Sequence, residues 1–355
     1  MRSTFFIISI IAIFISTACY ADASSIGELE NWKTECVGRY QLSMPGEIEV
    51  ATNKPSHDGF TDKASFSDGQ KAPFSQMRYF GYLDVISPAK EPDVVNLKNI
   101  LSSNREKAKK ELLRSNSEKE KNLGKLMKPL TYFAPDLFGW DSENYMPGLY
   151  YFLDNKIFAH SLTNYEDDAL RAINKKHFNA FLNGFRSRPL YEIPKQPGVC
   201  IPYGFIADDG TAPRNIAVTM RLIDHPDVEI FFQDSSYQLS PGEHSDSKQE
   251  ILLFLDQYAS KQKYVDTGFW GTHTIKMSGQ KGSGLFFTIA RKDDTIDYGY
   301  IASVKGDFTA RTDTPAQMLY VIRTASRAKG VPVSKDEIKD IAEKIIASVK
   351  RHPVQ

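Results

Sequence analysis

Seven histidines and three cysteines are the residues of this sequence best suited to metal binding or nucleophilic work, and their spacing decides what they can do. The histidines are scattered at positions 57, 160, 177, 225, 244, 273 and 352. No H-E-x-x-H sets two imidazoles on one helix face for zinc, and the cysteines are too few and too far apart for a ribbon site. No G-x-S-x-G presents a serine on a strained turn. Gly279-Gln-Lys-Gly-Ser-Gly284 is glycine-rich, but it lacks the order of glycine, lysine and hydroxyl that cradles a phosphate. Apolar strand patterns on both sides make it a hairpin turn. Asp293, Asp294 and Asp297 lack the glycine and the terminal glutamate of a calcium loop and read as a solvated turn. The sequence therefore points to no catalytic residue, no cofactor and no metal. His225-Pro226-Asp227 joins an imidazole to a carboxylate, yet proline and aspartate between two strand patterns make a turn. A catalytic pair at His225 and Asp227 is the other reading, and Phe269-Trp270, between Gly268 and Gly271, either caps the core or stands exposed in a loop as an interface anchor. Aromatic anchors are concentrated at interface hot spots.

The elements that must position these residues alternate between two patterns. Leu170, Ile173, Phe178, Phe181, Leu182 and Phe185 recur at helical spacing, and so do Ile338, Ile341, Ala342, Ile345 and Val349 near the end of the chain. Ser334 and Glu337 form a capping box for that last helix, with Val333 and Ile338 as its hydrophobic staple. Earlier helices carry Val94, Leu97, Leu101, Ala108 and Leu112 in one half, and Ile251, Leu252, Leu255 and Tyr258 in the other. The first continues into a lysine-rich, solvated stretch from Lys119 to Lys128. A further helix is expected from Pro315, capped by Thr314, to Gly330. Period-two alternation marks strands with one buried face at Ile216 to Leu222, at Met77 to Leu83 and at Leu285 to Ile289.

Helices and strands without strict βαβ alternation define an α+β class. Two similar lobes are expected, each a mostly antiparallel sheet with packed helices. The segments Phe181 to Pro189 and Ile345 to Pro353 share apolar pairs, a basic residue and a proline stop, as an internal duplication would leave. The proline-rich break around 189–198 sets the boundaries: 1–23, 24–190 and 191–355.

The chain has 355 residues, 41 % apolar and 25 % charged, which excludes disorder and a polytopic membrane protein. Lysine plus arginine and aspartate plus glutamate each number 44, so there is no cationic excess for nucleic acid. Met1-Arg2 and the apolar run Phe5–Ile15 are too short for a membrane span and read as a signal peptide, cleaved after Ala21 or Ala23. The mature chain is then expected to be secreted, without stable membrane insertion. Lipidation at Cys19, preceded by Ser16-Thr17-Ala18, is the lesser alternative. Cleavage leaves Cys36 and Cys200, an even pair that an oxidising compartment can join; two buried free thiols are the other reading.

Several short motifs resemble one known family. Cys36-Val-Gly-Arg-Tyr40 before an apolar strand and Pro45 resembles the opening of the type VI secretion lipase-immunity family. Pro197-Gly-Val-Cys-Ile201 with Gly204-Phe-Ile206 is similar to the start of its second domain, and His225-Pro-Asp-Val228 to a further element. Val199 and Pro202 depart from the more aromatic or acidic residues expected there. The resemblance spans most of the mature chain. It implies a periplasmic antidote, not an enzyme, with His225, Asp227, Phe269 and Trp270 as the candidate effector contacts. Such a protein grips one secreted lipase or phospholipase effector between two lobes, as a 1:1 complex, and keeps lipid from the effector's active site. Two other classes stay open: an envelope hydrolase whose site assembles from distant residues such as His225, His273 and scattered acids, and an envelope scaffold or lipoprotein.

Overall fold

A computed structural model describes residues 31–352, except 163–167, 237–246, 260–261, 269–270, 308–313 and 331. The expected signal peptide, Cys19, His244, Phe269 and Trp270 lie outside the described residues. In the first half the elements run β1 (Trp32–Val37), β2 (Tyr40–Pro45), β3 (Ile48–Val50), β4 (Pro55–Ser56), β5 (Gly59–Phe60), β6 (Gln76–Tyr79), β7 (Gly81–Ile86), α1 (Glu91–Arg114), α2 (Glu118–Lys125), β8 (Thr131–Ala134), β9 (Leu137–Trp140), β10 (Gly148–Leu153), β11 (Lys156–Leu162), α3 (Asp168–Gly184) and β12 (Phe185–Ser187). The second half runs β13 (Gly198–Ile201), β14 (Gly204–Ala207), β15 (Arg214–Leu222), β16 (Val228–Ser235), α4 (Ser247–Tyr258), β17 (Tyr264–Asp266), β18 (His273–Met277), β19 (Gln280–Ala290), β20 (Ile296–Val304), β21 (Ala316–Arg323), α5 (Lys335–Ser348) and β22 (Lys350–Arg351).

The halves repeat one topology. The first orders its strands β6-β7-β11-β10-β9-β8, the second β15-β16-β21-β20-β19, with β17 and β18 sharing the last edge. In each, a helical crossover follows the second strand and a helix follows the last. The two similar α+β lobes expected from the sequence are therefore present. Their sheets also join: β6 pairs antiparallel with β15, Tyr79 opposite Arg214 and Gln76 opposite Ala217, to make one continuous sheet.

Both faces of this sheet are covered. One face packs against Phe178 and Phe181 of α3 and Ile338, Ile341 and Ile345 of α5, in a core that crosses the seam. On the other face Val94 and Leu97 of α1 pack on Phe138, Trp140 and Tyr150, and Ile251, Phe254 and Leu255 of α4 pack on Phe231, Phe287 and Tyr320. Helix α5 begins at the expected capping box: Ser334 accepts from the Glu337 N–H, and Glu337 accepts from the Ser334 N–H. Ile173 and Leu252, placed on apolar helix faces by periodicity, are exposed.

Three sequence expectations are corrected. Residues 316–323 form β21, not the start of a helix from Pro315 to Gly330. Met318-Leu-Tyr-Val-Ile322 is apolar throughout because the strand is central: Leu319 and Val321 enter one core, Tyr320 and Ile322 the other. Such a run has no period to separate strand from helix. For the same reason β15 is buried on both faces rather than one. The glycine-rich stretch is mostly strand. The turn is Ser278-Gly279, and Gly282 and Gly284 lie inside β19, where an added Cβ would meet the Ser303 carbonyl oxygen at 2.2 Å or the Tyr300 hydroxyl at 2.5 Å.

The halves also exchange their ends. Hairpin β1-β2 opens the first half, yet it is completed by β22 from the end of the second; hairpin β13-β14 is completed by β12 from the end of the first. The match extends to single bonds: the His352 N–H donates to the Arg39 carbonyl at 2.7 Å, and the Arg188 N–H to the Tyr203 carbonyl at 2.9 Å. Cys36 and Cys200 occupy the same place in the two hairpins and are joined by a disulfide, Cα to Cα 5.6 Å.

Arginine side chains seal the exchange. The Arg39 guanidinium, fully buried, makes a bidentate pair with Asp208 at 2.7 Å on both arms, and its backbone N–H donates to Asp234 Oδ2 at 2.8 Å. Asp234 is itself paired with buried Arg214, Nη2 to Oδ1 2.8 Å. The Tyr79 hydroxyl donates to Asp208 at 3.0 Å, and burial beside that carboxylate pushes the phenol well above its usual range. Arg188 pairs with Glu35 and donates to the Cys36 carbonyl at 2.9 Å.

Two outcomes are expected in chemical unfolding. Replacing Asp234 by alanine strands Arg214 and costs about 3–5 kcal/mol, the usual result of halving a buried pair. Replacing both Cys36 and Cys200 by serine opens a 164-residue loop and costs up to about 5 kcal/mol on the chain-entropy model, with the variant then insensitive to reductant.

Candidate functional site

The two crossover helices sit over the outer strands of each lobe and leave the seam between them open. What faces solvent there follows from strand alternation. Met77 and Tyr79 of β6 point into the shared core, so Gln76 and Arg78 point to the open face. Likewise Leu83 and Val85 of β7 are core, and Tyr82 and Asp84 face the opening. Asn215 and Ala217 of β15 continue the floor, with Gln233 and Ser235 of β16 beyond them.

Two cavities lie along this floor. The larger, about 540 Å3, is bounded by Thr52, Asn53, Phe60, Phe74, Gln76, Tyr82, Asp84 and Ala217. The smaller, about 360 Å3, lies under α4 between Phe74, Gln76, Asn215, Ala217, Gln233, Leu253 and Phe254. They share Phe74, Gln76 and Ala217, so together they form one trough along the seam, divided by the Phe74 ring. That ring is fixed by Phe254 at 4.8 Å between centroids and by edge contacts with Phe231 and Tyr320.

The segment 51–75 forms the wall between the cavities and is tied down by polar bonds. Arg221 of β15 bridges Asp68 at 2.6 Å and Glu49 at 2.6 Å and lies over the Phe66 ring. The Ser75 hydroxyl donates to Thr219 Oγ1 at 2.8 Å. Glu229 accepts from the Tyr320 hydroxyl at 2.6 Å and from Gln70 at 3.0 Å. Burial pushes its carboxyl up, and these two donors hold it partly back. These bonds tie the wall of the trough to β15 and β16.

The residues singled out from the sequence lie elsewhere. His225 is half-buried in the turn between β15 and β16, at the opposite end of β15 from the seam. Asp227 is 2 % exposed, its carboxyl pushed up by burial, and its backbone carbonyl accepts from the Thr324 N–H at 2.8 Å. A carboxylate this buried is not a surface contact, and the expectation for Asp227 is corrected accordingly. His273 donates to or accepts from the Tyr300 hydroxyl at 2.7 Å, four strands across the sheet from the His225 hairpin. The fold does not bring these two histidines together. His160, fully buried against Phe181, is held neutral near a value of about 4 by burial and bonds the Tyr79 carbonyl at 2.8 Å.

Sequence reasoning missed Asp84. In Tyr82-Leu-Asp-Val-Ile86 it alternates like any outward strand residue, and only the fold puts a wall opposite it. Among the described residues it has no hydrogen bond and no ion pair, and burial alone raises its carboxyl to about 6.

Comparison with known proteins places this architecture. Residues 192–353 match the family model described as Tle cognate immunity protein 4 C-terminal domain, so the second half of the chain is similar to that domain. The resemblance noted in the sequence is borne out there. Over nearly its whole described length the chain shares the fold of solved immunity proteins. The apo immunity protein TplEi of the type VI secretion system of Pseudomonas aeruginosa superposes with a TM-score of 0.57 at 15 % identity, covering 93 % of this chain and 100 % of that one. A structure described as the Tle4-Tli4 complex gives 0.60 at 15 % identity, covering 92 % and 100 %. TplEi complexed with an "L" peptide gives 0.56 at 15 % identity, again 92 % and 100 %. No curated protein matches the sequence significantly. Among the described residues no helix is long and apolar enough to cross a membrane.

The Asp84 shift sets a pH dependence. Its folded value of about 6 lies above the unfolded value near 3.9, so the protonated carboxyl favours the folded chain. Its destabilisation grows as pH rises from about 4 through 6 and is complete above that. Asp84→Asn is expected to raise the thermal midpoint at pH 7.5 and to change it little at pH 4, checked by calorimetry across that range.

Proposed function

We propose that this chain is a periplasmic immunity protein that binds a secreted type VI lipase effector and keeps lipid from the effector's active site. The observation that carries this reading is the trough between two similar lobes, in a chain whose residues 192–353 match an immunity-domain family model. Two lobes, 24–190 and 191–355, grip one lipase between them. Binding, not catalysis, is the activity, and it uses no cofactor and no metal. The described fold that is complexed in the Tle4-Tli4 structure supports a protein partner over a small substrate.

The reading fits the compartment. A signal peptide over residues 1–23 would export the chain, and the Cys36–Cys200 bond belongs to an oxidising space. Affinity must be high because one free lipase turns over many lipids. A nanomolar complex needs about −12 kcal/mol, within reach of an interface of roughly 1,600 Å2. The trough, with exposed Tyr82 on one side and exposed Leu253 on the other, supplies its centre.

A rescue assay tests this. The product of the adjacent gene, directed to the periplasm of a sensitive host, is expected to stop growth alone and to become harmless when this chain is co-expressed. Removing residues 1–23 is expected to abolish protection. An adjacent product that kills regardless of this chain overturns the reading.

A further inference from the structure

Asp84 is a half-buried carboxylate of the trough to which, among the described residues, the fold gives no hydrogen-bond donor and no cation. It stands on the floor of the larger cavity, with Ala159 of β11 opposite it and Gln76 of β6 on the other side. The cations nearby are committed or apart. Arg78 lies over the Tyr82 ring, 4.8 Å from its centroid. Lys54 donates to the Ser87 carbonyl at 2.8 Å. Lys63 is exposed at the mouth and makes no ion pair with Asp84. A half-buried carboxylate without a donor is costly to keep, and a protein without a use for it gains by replacing it.

The space around it has a definite chemistry. Phe60 and Phe74 give an apolar wall, Thr52, Asn53 and Gln76 a polar one, and the single charge is Asp84, apart from Asp62 and Lys63 at the rim. An apolar passage that ends on one anion suits a long aliphatic stem tipped with one positive charge. A polyamine would leave further charges unmatched. The mouth opens on the same face that we assign to the effector.

We propose that this cavity is a socket for one lysine or arginine side chain of the lipase effector, with Asp84 as the anion that receives it. The proposal rests on the immunity reading and adds the chemistry of the partner's anchor. On entry the cation trades water for a carboxylate inside a protein wall, and a pair of that kind is lost at high cost when one member is neutralised.

The test is a double-mutant cycle on the full mature chain with the lipase encoded by the adjacent gene, read by calorimetry. Asp84→Asn is expected to weaken the complex about thirtyfold or more while leaving the free protein at least as stable as the wild type. Each surface lysine and arginine of the lipase is then replaced by methionine. One is expected to weaken wild type by a similar factor and to have no further effect on Asp84→Asn. If wild type does not bind the lipase, the immunity reading falls, and the socket with it. If wild type binds and Asp84→Asn binds equally well, or no lipase cation couples to Asp84, the socket alone is overturned.

Discussion

A buried guanidinium dictates how this chain can fold. Arg39 sits at the tip of the first hairpin with no access to water, and its charge is met by Asp208, which follows the hairpin opening the second half. Its backbone N–H is met by Asp234, which in turn must neutralise Arg214. Leaving any of these charges unpaired in the interior would cost more than most single contacts supply. The first hairpin is therefore compelled to lie on the second half. Gly38 makes the approach possible: its φ is +60°, and a Cβ there would stand 2.3 Å from Asp234 Oδ2. With the hairpins face to face, Cys36 and Cys200 meet as a consequence.

The trough follows from the same arrangement. Joining two copies of one sheet at their first strands places the crossover helices symmetrically away from the joint, since each crossover serves the outer strands of its own lobe. A two-lobed surface with an uncovered middle is thus a property of the topology. What distinguishes this chain is the segment 51–75, which crosses the middle and is held by Arg221, Gln70 and Ser75. It converts a flat floor into two cavities separated by one phenyl ring.

The sequence made much of the fold legible and little of the site. Helix α5 was readable because its cap is local: Ser334 and Glu337 are three residues apart and bond each other. The repeat was readable in the endings of the two halves because the same contacts are made by Arg188 and His352. β21 was misread because a strand buried on both faces loses the alternation that identifies it, and Thr314-Pro315 then resembles a helix start. Asp227 was misread because proline and aspartate mark a turn without telling whether the carboxyl faces out. Asp84 left no local signal at all. Its distinction is the absence of a neighbour, and neighbours are set by residues far away in the chain.

The exchanged ends have a consequence for timing. A polypeptide leaves the ribosome from its first residue onward. Hairpin β1-β2 would appear among the earliest segments, but its third strand, Lys350–Arg351, is nearly the last. The opening hairpin must wait, incomplete, for almost the entire chain to arrive. A molecule fastened by joining two segments so far apart in sequence stays unfastened through most of its synthesis and locks late, whichever half folds first.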